Sequence, residues 1–179
     1  MRVITGTARG RKLKTPSDYD VRPTTDNVKE SIFNIISFDI EGRRVLDLFA
    51  GTGQMGIEAI SRGAGETVFV DNSLSSIKLI KENLDICGFK APVIKSDALS
   101  YIQNAEPFDV IFIDPPYDST LYEQVLEKVN TIDLLKKNGI IIVEARKERA
   151  LPDMKEPYFK KKEYIYGKVK VVTFTKEQP

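Results

Sequence analysis

Histidine is absent from the 179 residues of this chain. Its absence excludes mechanisms that need an imidazole base, a Ser-His-Asp triad or a metal ion held by histidine. Cysteine is almost absent as well, because Cys87 has no second cysteine to pair with, and no residue set offers the Cys/His spacing of a zinc site. We therefore expect no disulfide, no metal and a reducing compartment, with the cytoplasm as the default.

Long apolar runs are also missing. The longest uninterrupted ones, such as Ile140 to Val143, contain four residues, whereas a helix needs roughly 20 to span a bilayer. The N-terminus is basic and polar, unlike a signal peptide. The sequence thus predicts neither a membrane anchor nor a leader, and its length is about that of one domain.

The formal net charge is only +1, but the charges are unevenly distributed. Basic residues without any acid occupy the first 14 positions, and a second basic stretch lies near the C-terminus. The first group is Arg2, Arg9, Arg11, Lys12 and Lys14, and the second is Lys160, Lys161, Lys162, Lys168 and Lys170. We expect the acid-free N-terminal arm to contact phosphate groups. For the C-terminal lysines, a solvated charged face is an equally good interpretation.

Residues 1–40 are predicted to form an N-terminal extension. Val3 to Thr15 alternates around a break at Thr7–Gly10, which is typical of a basic hairpin or arm. Pro23-Thr24-Thr25 then predicts the start of a helix. The apolar face of that helix consists of Val28, Ile32, Ile35 and Ile36. Residues 41–179 are predicted to form the core of the same single domain.

From Arg44 onward, short apolar runs alternate with helical patterns. The runs predicted as strands are Val45–Phe49, Thr67–Val70, Pro92–Ile94, Phe108–Ile113 and Ile140–Val143. Because parallel strands need a crossover and the intervening segments look helical, this alternation indicates a doubly wound α/β fold with a parallel sheet. Tyr158–Tyr166 and Val169–Phe174, joined near Gly167, predict a terminal antiparallel hairpin.

A glycine-rich loop follows the first predicted strand. Gly51-Thr52-Gly53-Gln54-Met55-Gly56 matches G-x-G-x-x-G, and Asp71 stands at the end of the second strand. This pattern is typical of a nucleoside site, where glycines permit close approach of the backbone and the acid binds ribose hydroxyls. The loop alone does not identify the cofactor, and Asp71 could also be a turn residue.

Two further acids bear on the choice of cofactor. Asp47 lies at the end of the first strand, close to the glycine loop, where a carboxylate suits a ligand with an ammonium and a sulfonium better than a pyrophosphate. Asp97 follows the third strand and could accept a hydrogen bond from an adenine amino group. The alternative for Asp97 is that it caps the helix that follows.

The fourth strand runs into Asp114-Pro115-Pro116-Tyr117. Proline fixes its own φ and restricts the residue before it, so the Asp114 carboxylate and the Pro115 carbonyl become a rigid pair of acceptors. Such a pair can accept both hydrogens of a base amino group and leave the nitrogen lone pair aimed at a methyl group, and the carboxylate stabilises the developing cation. Tyr117 would stack on an extruded base. The alternatives are a simple strand terminator and an ordinary buried tyrosine.

Motifs over nearly the whole chain resemble a known family, the bacterial 16S rRNA guanine-N2 methyltransferases called RsmD. The motifs are Arg2–Gly6, Arg9–Leu13, Arg22–Glu30, Phe33-Asn34, Asp47–Gly53, Gly56–Ala59, Ser61–Ala64, Asp114–Tyr117 and Tyr166-Gly167. The resemblance implies a seven-stranded class I methyltransferase sheet with S-adenosyl-L-methionine as cofactor. It implies that the substrate is a guanine in 16S rRNA of the small ribosomal subunit, reached on a partly assembled particle.

The resemblance also assigns roles to residues. Catalysis is expected at Asp114, Pro115, Pro116 and Tyr117, and cofactor binding at Asp47, Phe49, Gly51, Gly53, Asp71, Asn72, Asp97 and Ala98. The expected RNA-binding residues are Arg2, Arg9, Arg11, Lys12 and Arg22. Three alternatives stay open from the residues alone: an adenine-N6 nucleic-acid methyltransferase, an NAD-dependent oxidoreductase, and a non-catalytic RNA-binding assembly factor.

Overall fold

The structure is a computed structural model that describes residues 1–16, 25–36, 40–116 and 120–176. Along the chain its elements are α1 (Asp26–Ile35), β1 (Arg44–Asp47), α2 (Gln54–Ser61), β2 (Glu66–Asp71), α3 (Leu74–Cys87), β3 (Val93–Lys95), α4 (Ala98–Ile102), β4 (Phe108–Ile113), α5 (Leu121–Ile132), β5 (Leu135–Arg146), β6 (Tyr158–Tyr166) and β7 (Val169–Lys176). In this part of the chain, no helix has the length and apolar character needed to cross a membrane.

One seven-stranded sheet has the order β3-β2-β1-β4-β5-β7-β6. The first five strands pair in parallel, whereas β7 is antiparallel to β5 and β6 is antiparallel to β7. The predicted doubly wound α/β fold and its C-terminal antiparallel hairpin are confirmed. The strand order reverses between β1 and β4, and ligands of open α/β sheets bind at the carboxyl ends of strands beside such a reversal.

The central strands are largely apolar in their middle portions because helices or loops cover both faces of the sheet. All six residues of β4 are buried, and its predicted bounds match the observed ones. The strand β5 is much longer than the predicted Ile140–Val143. At its start it includes the polar residues Lys136 to Asn138, where the register with β4 is irregular. At its end it pairs with β7 as far as Arg146. The strand β1 ends at Asp47, two residues earlier than predicted.

The N-terminal residues form the expected hairpin-like arm. The backbone N–H of Val3 donates to the carbonyl of Arg11 at 3.0 Å, and the N–H of Gly10 donates to the carbonyl of Val3 at 2.9 Å. An antiparallel bridge joins Arg2 and Lys12. Three apolar side chains of this arm are buried against α2, α3 and β2; they are Val3, Ala8 and Leu13. The arm is therefore packed into the domain rather than projecting from it.

A buried charge network fastens the arm to α1 and α2. The Glu58 carboxylate is fully buried and accepts the backbone N–H groups of Ile4 at 2.8 Å and Thr5 at 3.0 Å, as well as Arg62 Nε at 2.8 Å. Lys29 Nζ is also fully buried, lies 3.9 Å from Glu58 and donates to the carbonyl of Arg2. Burial lowers the pKa of Lys29, and the charges of Glu58 and Asp26 oppose that shift.

The helix α1 begins after Thr25, whose hydroxyl accepts the N–H of Val28 at 3.4 Å. Its buried residues include Val28, Ile32 and Phe33, and the Phe33 ring lies 5.6 Å from that of Phe112 on β4. The predicted face is confirmed except at Ile35, which is only half-buried. Pro23 and Thr24, which formed part of the predicted start, lie outside the described residues.

The network predicts a large stability cost when its carboxylate is removed. Glu58→Ala leaves Lys29 buried beside a weaker counter-charge and leaves two arm amides without an acceptor, so the free energy of unfolding should fall by about 3 to 5 kcal/mol in urea titrations. Glu66→Ala is the matched control, because its pair with Arg44 is half-exposed and should contribute at most about 1 kcal/mol. Equal losses in the two variants would contradict the assignment of Glu58 as the anchor.

Candidate active site

Four acids lie at the carboxyl ends of four adjacent strands. In sheet order they are Asp71 on β2, Asp47 on β1, Asp114 directly after β4, and Glu144 near the end of β5. Because these strands are parallel, their carboxyl ends meet at one edge of the sheet. The reversal between β1 and β4 lies in the middle of this row, which is where a ligand of this fold class is expected.

The glycine loop is shaped for close approach to this row of acids. Gly51 and Gly53 have φ values of 53° and 77°, a region that side chains other than glycine rarely adopt. The N–H of Gly51 donates to Asp71 Oδ2 at 2.9 Å, which ties the loop to β2. A Cβ on Gly56 would lie 2.2 Å from the Phe69 ring, so the third glycine lets α2 pack on the sheet.

The Asp47 carboxyl group is buried under the first turn of α2. Its Oδ2 accepts the N–H of Gly56 at 2.9 Å, and only 4% of the residue is exposed. Burial raises the pKa of Asp47 from 3.8 to about 7; the hydrogen bond from Gly56 opposes this rise, and the charge of Asp71 adds to it. The site therefore holds an acid that resists ionisation until a positive charge is near.

Asp114 lies in the same electrostatic environment. Burial raises the pKa of Asp114 well above its usual value, and the negative charges of Glu144 and then Asp47 raise it further. Asp47 and Glu144 lie on β1 and β5, the two strands that flank β4 in the sheet, so both acids stand at strand ends next to that of Asp114. The Asp114 carboxyl group thus belongs to the same cluster as Asp47, beside the glycine loop.

The backbone after β4 is fixed by a buried tyrosine on α5. The hydroxyl group of Tyr122, which is fully buried, lies 3.3 Å from the carbonyl oxygen of Pro115 and 3.1 Å from that of Glu144. One hydroxyl hydrogen is shared between two carbonyl oxygens, and each carbonyl has two lone pairs. The Pro115 carbonyl therefore keeps capacity to accept another hydrogen while its direction is held.

The remaining sequence-predicted residues differ in exposure. Asp71 Oδ1 also accepts the N–H of Ser73 at 2.9 Å, and Asn72 beside it is exposed. Asp97 is exposed and caps α4 by accepting the N–H of Ser100 at 3.1 Å, so the capping alternative is correct for one of its oxygens.

The other predicted cofactor-binding and catalytic residues that the structure describes are partly or fully buried, apart from Pro116. Ala98 is buried. Phe49 is half-buried and packs against the main core. Pro115 is buried and Pro116 exposed, and Tyr117 lies outside the described residues.

The basic residues of the arm are exposed to solvent. They are Arg2, Arg9, Arg11 and Lys12; Arg22, the fifth predicted RNA-binding residue, lies outside the described residues. Met1 brings the start of the arm to the glycine loop, because the Thr52 hydroxyl lies 3.6 Å from its sulfur. The start of the arm therefore contacts the glycine loop, whereas its turn, next to Arg9, contacts Ser61 at the C-terminal end of α2.

Two residues of the site were not predicted. Glu144 had a signal in the sequence, since it directly follows the apolar run Ile140–Val143 and so stands at the carboxyl end of a strand. Tyr122 had none beyond its place on the apolar face of a helix, because its partner carbonyls are set by tertiary structure. Within residues 1–16, 25–36, 40–116 and 120–176, no group of three or more Cys, Asp or Glu residues is arranged to hold a metal ion.

The raised pKa of Asp47 predicts a pH-dependent loss of stability. Between pH 3.8 and about 7 the folded chain keeps a proton on Asp47 that the unfolded chain releases. The contribution of Asp47 to the free energy of unfolding is therefore complete below pH 3.8 and is lost as the pH rises to about 7. Asp47→Asn keeps the acceptor for Gly56 but cannot ionise. Relative to this variant, the wild type should lose about 4 kcal/mol of unfolding free energy between pH 4 and pH 8.

Urea titrations of both proteins across that pH range measure this effect. Asp114 is present in both proteins, and because the Asp47 charge raises the pKa of Asp114, the difference between the two curves contains this coupling as well as the titration of Asp47 itself. A difference in unfolding free energy that stays constant from pH 4 to pH 8 would show that Asp47 ionises at its usual pH despite its burial.

Comparison with known proteins places the chain among bacterial relatives. The family model described as "Conserved hypothetical protein 95" matches residues 1–175. Ribosomal RNA small subunit methyltransferase D of Escherichia coli is 36% identical over 99% of this chain and 90% of that protein. The Bacillus subtilis protein YlbH is 38% identical over 98% of this chain and 99% of its own length.

Solved structures agree with this relationship. The structure of yhhF from Escherichia coli matches with a TM-score of 0.89 and 31% identity over 99% of this chain and 98% of that one. TrmN from Thermus thermophilus, 20% identical with a TM-score of 0.65 over 84% of this chain and 48% of that one, shows the shared fold alone. From the family model and the near full-length relatives, the chain belongs to the RsmD family.

Proposed function

We propose that this protein is an S-adenosylmethionine-dependent methyltransferase that methylates the exocyclic N2 amino group of a guanine in 16S rRNA of the small ribosomal subunit. The observation that carries the proposal is the position of the Asp114 carboxyl group and the Pro115 carbonyl at the end of β4, beside the glycine loop after β1. Relatives that match 84% and 99% of this chain are named small subunit rRNA methyltransferases. The compartment that follows is the cytoplasm.

The charge of the site supports the cofactor. Asp47, Asp71, Asp114 and Glu144 form a row of acids, and burial makes ionisation of Asp47 and Asp114 unfavourable. A ligand that carries an ammonium and a sulfonium would relieve this repulsion, whereas the pyrophosphate of NAD would increase it. The residues proposed to hold the cofactor are Asp47, Phe49, Gly51, Gly53, Asp71, Asn72, Asp97 and Ala98.

The methyl transfer places two demands on the protein. When bound, S-adenosylmethionine supplies a methyl group activated by the positive charge on sulfur. The Asp114 carboxylate and the Pro115 carbonyl accept the two hydrogens of the guanine amino group and so turn its lone pair out of the base plane. The Tyr122 hydroxyl fixes the direction of the Pro115 carbonyl. Tyr117 is proposed to stack on the extruded base.

The carboxyl group of Asp114 is also proposed to accept a proton from the amino nitrogen. Its raised pKa makes it a good proton acceptor, because the amino nitrogen becomes acidic once it has bonded to the methyl carbon and gained positive charge. A cationic cofactor held beside Asp47 and Asp71 would favour the ionised form of Asp114, so that its carboxylate would be available to the base. The proton released from nitrogen then goes to an Asp114 oxygen.

The proposal predicts that Asp114→Ala abolishes methyl transfer. Unmethylated small ribosomal subunits, prepared from cells that lack this protein, are incubated with S-adenosylmethionine and either wild type or variant, and the rRNA nucleosides are measured by mass spectrometry. The wild type should produce N2-methylguanosine, and the variant should be at least about 100-fold slower, which is typical of removing an interaction made in the transition state. Formation of N6-methyladenosine instead would favour the adenine-specific alternative.

Calorimetry supplies the control for this variant. Because Asp114 is assigned to the acceptor base, its removal should leave the affinity for S-adenosylhomocysteine within a few-fold of the wild type. Near wild-type turnover in Asp114→Ala would refute its role. Exclusive binding of NAD by the wild type would refute the cofactor assignment and restore the oxidoreductase alternative.

Residues 1–40 are proposed to form the RNA-binding extension of the single domain. Arg9, Arg11 and Lys12 are exposed on the arm, and the arm is rigidly anchored through Glu58. Anchored cations bind phosphate at a lower entropic cost than mobile ones. Arg2 is also exposed but lies 3.8 Å from Asp26, so it contributes less free positive charge.

Neutralising Arg9, Arg11 and Lys12 together to Gln should weaken RNA binding and its dependence on salt. The slope of log affinity against log salt concentration should fall by roughly 0.7 to 0.9 for each phosphate group that the variant no longer neutralises. The matched control converts Lys160, Lys161 and Lys162 on the edge strand β6 to Gln, which removes the same charge from a distant surface. Equal changes in slope would mean that only the total charge of the protein matters.

A further inference from the structure

Asn83 is a polar residue on the buried side of α3. Its side chain is fully buried, and its neighbours on the same helix include the core residues Ile80 and Leu84. Asparagine is a poor helix former, and a buried amide is costly unless its hydrogen-bonding groups are satisfied. A leucine would fill such a position more favourably, so the amide needs a reason beyond packing.

The Asn83 amide joins two segments far apart in sequence. Its Oδ1 accepts the backbone N–H of Lys14 at 2.7 Å, and its Nδ2 donates to the carbonyl of Lys14 at 3.1 Å. The same Nδ2 donates to the carbonyl of Thr52 at 2.9 Å. Both amide hydrogens are therefore used, one on the basic arm and one on the glycine loop.

The position of Thr52 gives this interaction its significance. Thr52 lies between Gly51 and Gly53, the residues whose positive φ values shape the loop over the row of acids. Lys14 lies near the end of the arm that carries Arg9, Arg11 and Lys12. A displacement of either segment would stretch or break a buried hydrogen bond to the same side chain, which is energetically costly.

We propose that Asn83 is a positioning residue that couples RNA binding by the N-terminal arm to cofactor binding by the glycine loop. This inference rests on the proposed function. Ligand binding at the loop fixes Thr52, and through Asn83 it fixes the backbone at Lys14, so the arm meets RNA already ordered. By thermodynamic reciprocity, RNA must raise the affinity for the cofactor by the same factor.

The test measures RNA affinity with and without cofactor. The dissociation constant for a 16S rRNA transcript is determined for the wild type in the presence and absence of saturating S-adenosylhomocysteine. The wild type should bind RNA about five-fold or more tightly with S-adenosylhomocysteine bound, within the usual range of coupling between sites. In Asn83→Ala this ratio should fall to within about two-fold, even where RNA affinity itself is reduced.

Glu82→Gln is the matched control. Glu82 precedes Asn83 and pairs with the Lys14 ammonium at 2.8 Å on the exposed surface, but this pair does not include the glycine loop. The variant should loosen the arm slightly and keep the five-fold ratio. A merely structural role for Asn83 would lower RNA affinity equally in the presence and absence of cofactor, so a retained ratio in Asn83→Ala overturns the proposal.

A measurement on the wild type keeps the proposal testable if Asn83→Ala does not fold. Binding of S-adenosylhomocysteine should slow hydrogen exchange at the Lys14 amide, whose acceptor is the Asn83 side chain, by about five-fold or more. If S-adenosylhomocysteine binds but neither this exchange rate nor RNA affinity changes, the coupling is refuted while the proposed function stands. If S-adenosylhomocysteine does not bind at all, the proposed function itself fails.

Discussion

The burial of carboxyl groups at the carboxyl ends of β1 and β4 is the constraint on which the site depends. A carboxylate in a region of low dielectric is costly, and the cost rises when a second one lies nearby. Asp47 and Asp114 meet both conditions, and the pKa of each is raised in consequence. The fold tolerates this because the apolar strands beneath them are fully covered by helices. A cation bound beside these carboxyl groups would therefore stabilise the site.

The N-terminal arm is held by interactions of the same kind. Glu58 and Lys29 are both fully buried, and the arm contributes the backbone groups that complete their hydrogen bonding. The arm therefore cannot leave the domain without exposing a buried charge pair. This arrangement explains how a segment rich in cations can be held in place. On the proposed function, the arm would contact the anionic nucleic acid, whereas the row of acids would contact the cationic cofactor.

The sequence predicted those features that depend on local pattern. The strand β4 was predicted with correct bounds because five of its six buried residues are apolar, Asp109 being the exception, and the glycine loop was found because its spacing is local. The full length of β5 was missed because Lys136 to Asn138 are polar and lie in the irregular part of the strand, between the pairs Phe108–Leu135 and Val110–Ile140. Lys29 and Asn83 resemble ordinary helical polar residues in the sequence, since their partners lie 27 to 69 positions away. Such long-range pairs carry no sequence signal without the fold.

The absence of histidine gains a physical explanation from the acid cluster. A general base works best when its pKa lies near the pH at which it operates, which is the usual reason for employing imidazole. A weaker base than imidazole suffices here, because the amino nitrogen becomes acidic once it carries positive charge. Burial beside Glu144 and Asp47 moves the pKa of Asp114 upward, toward the range where proton acceptance is favourable. In this fold a carboxyl group can therefore serve as the proton acceptor, a role that histidine fills in other enzymes. A bound cation would be needed to favour its ionised form before the reaction begins. Cofactor binding before base binding is then the order that this electrostatic arrangement favours.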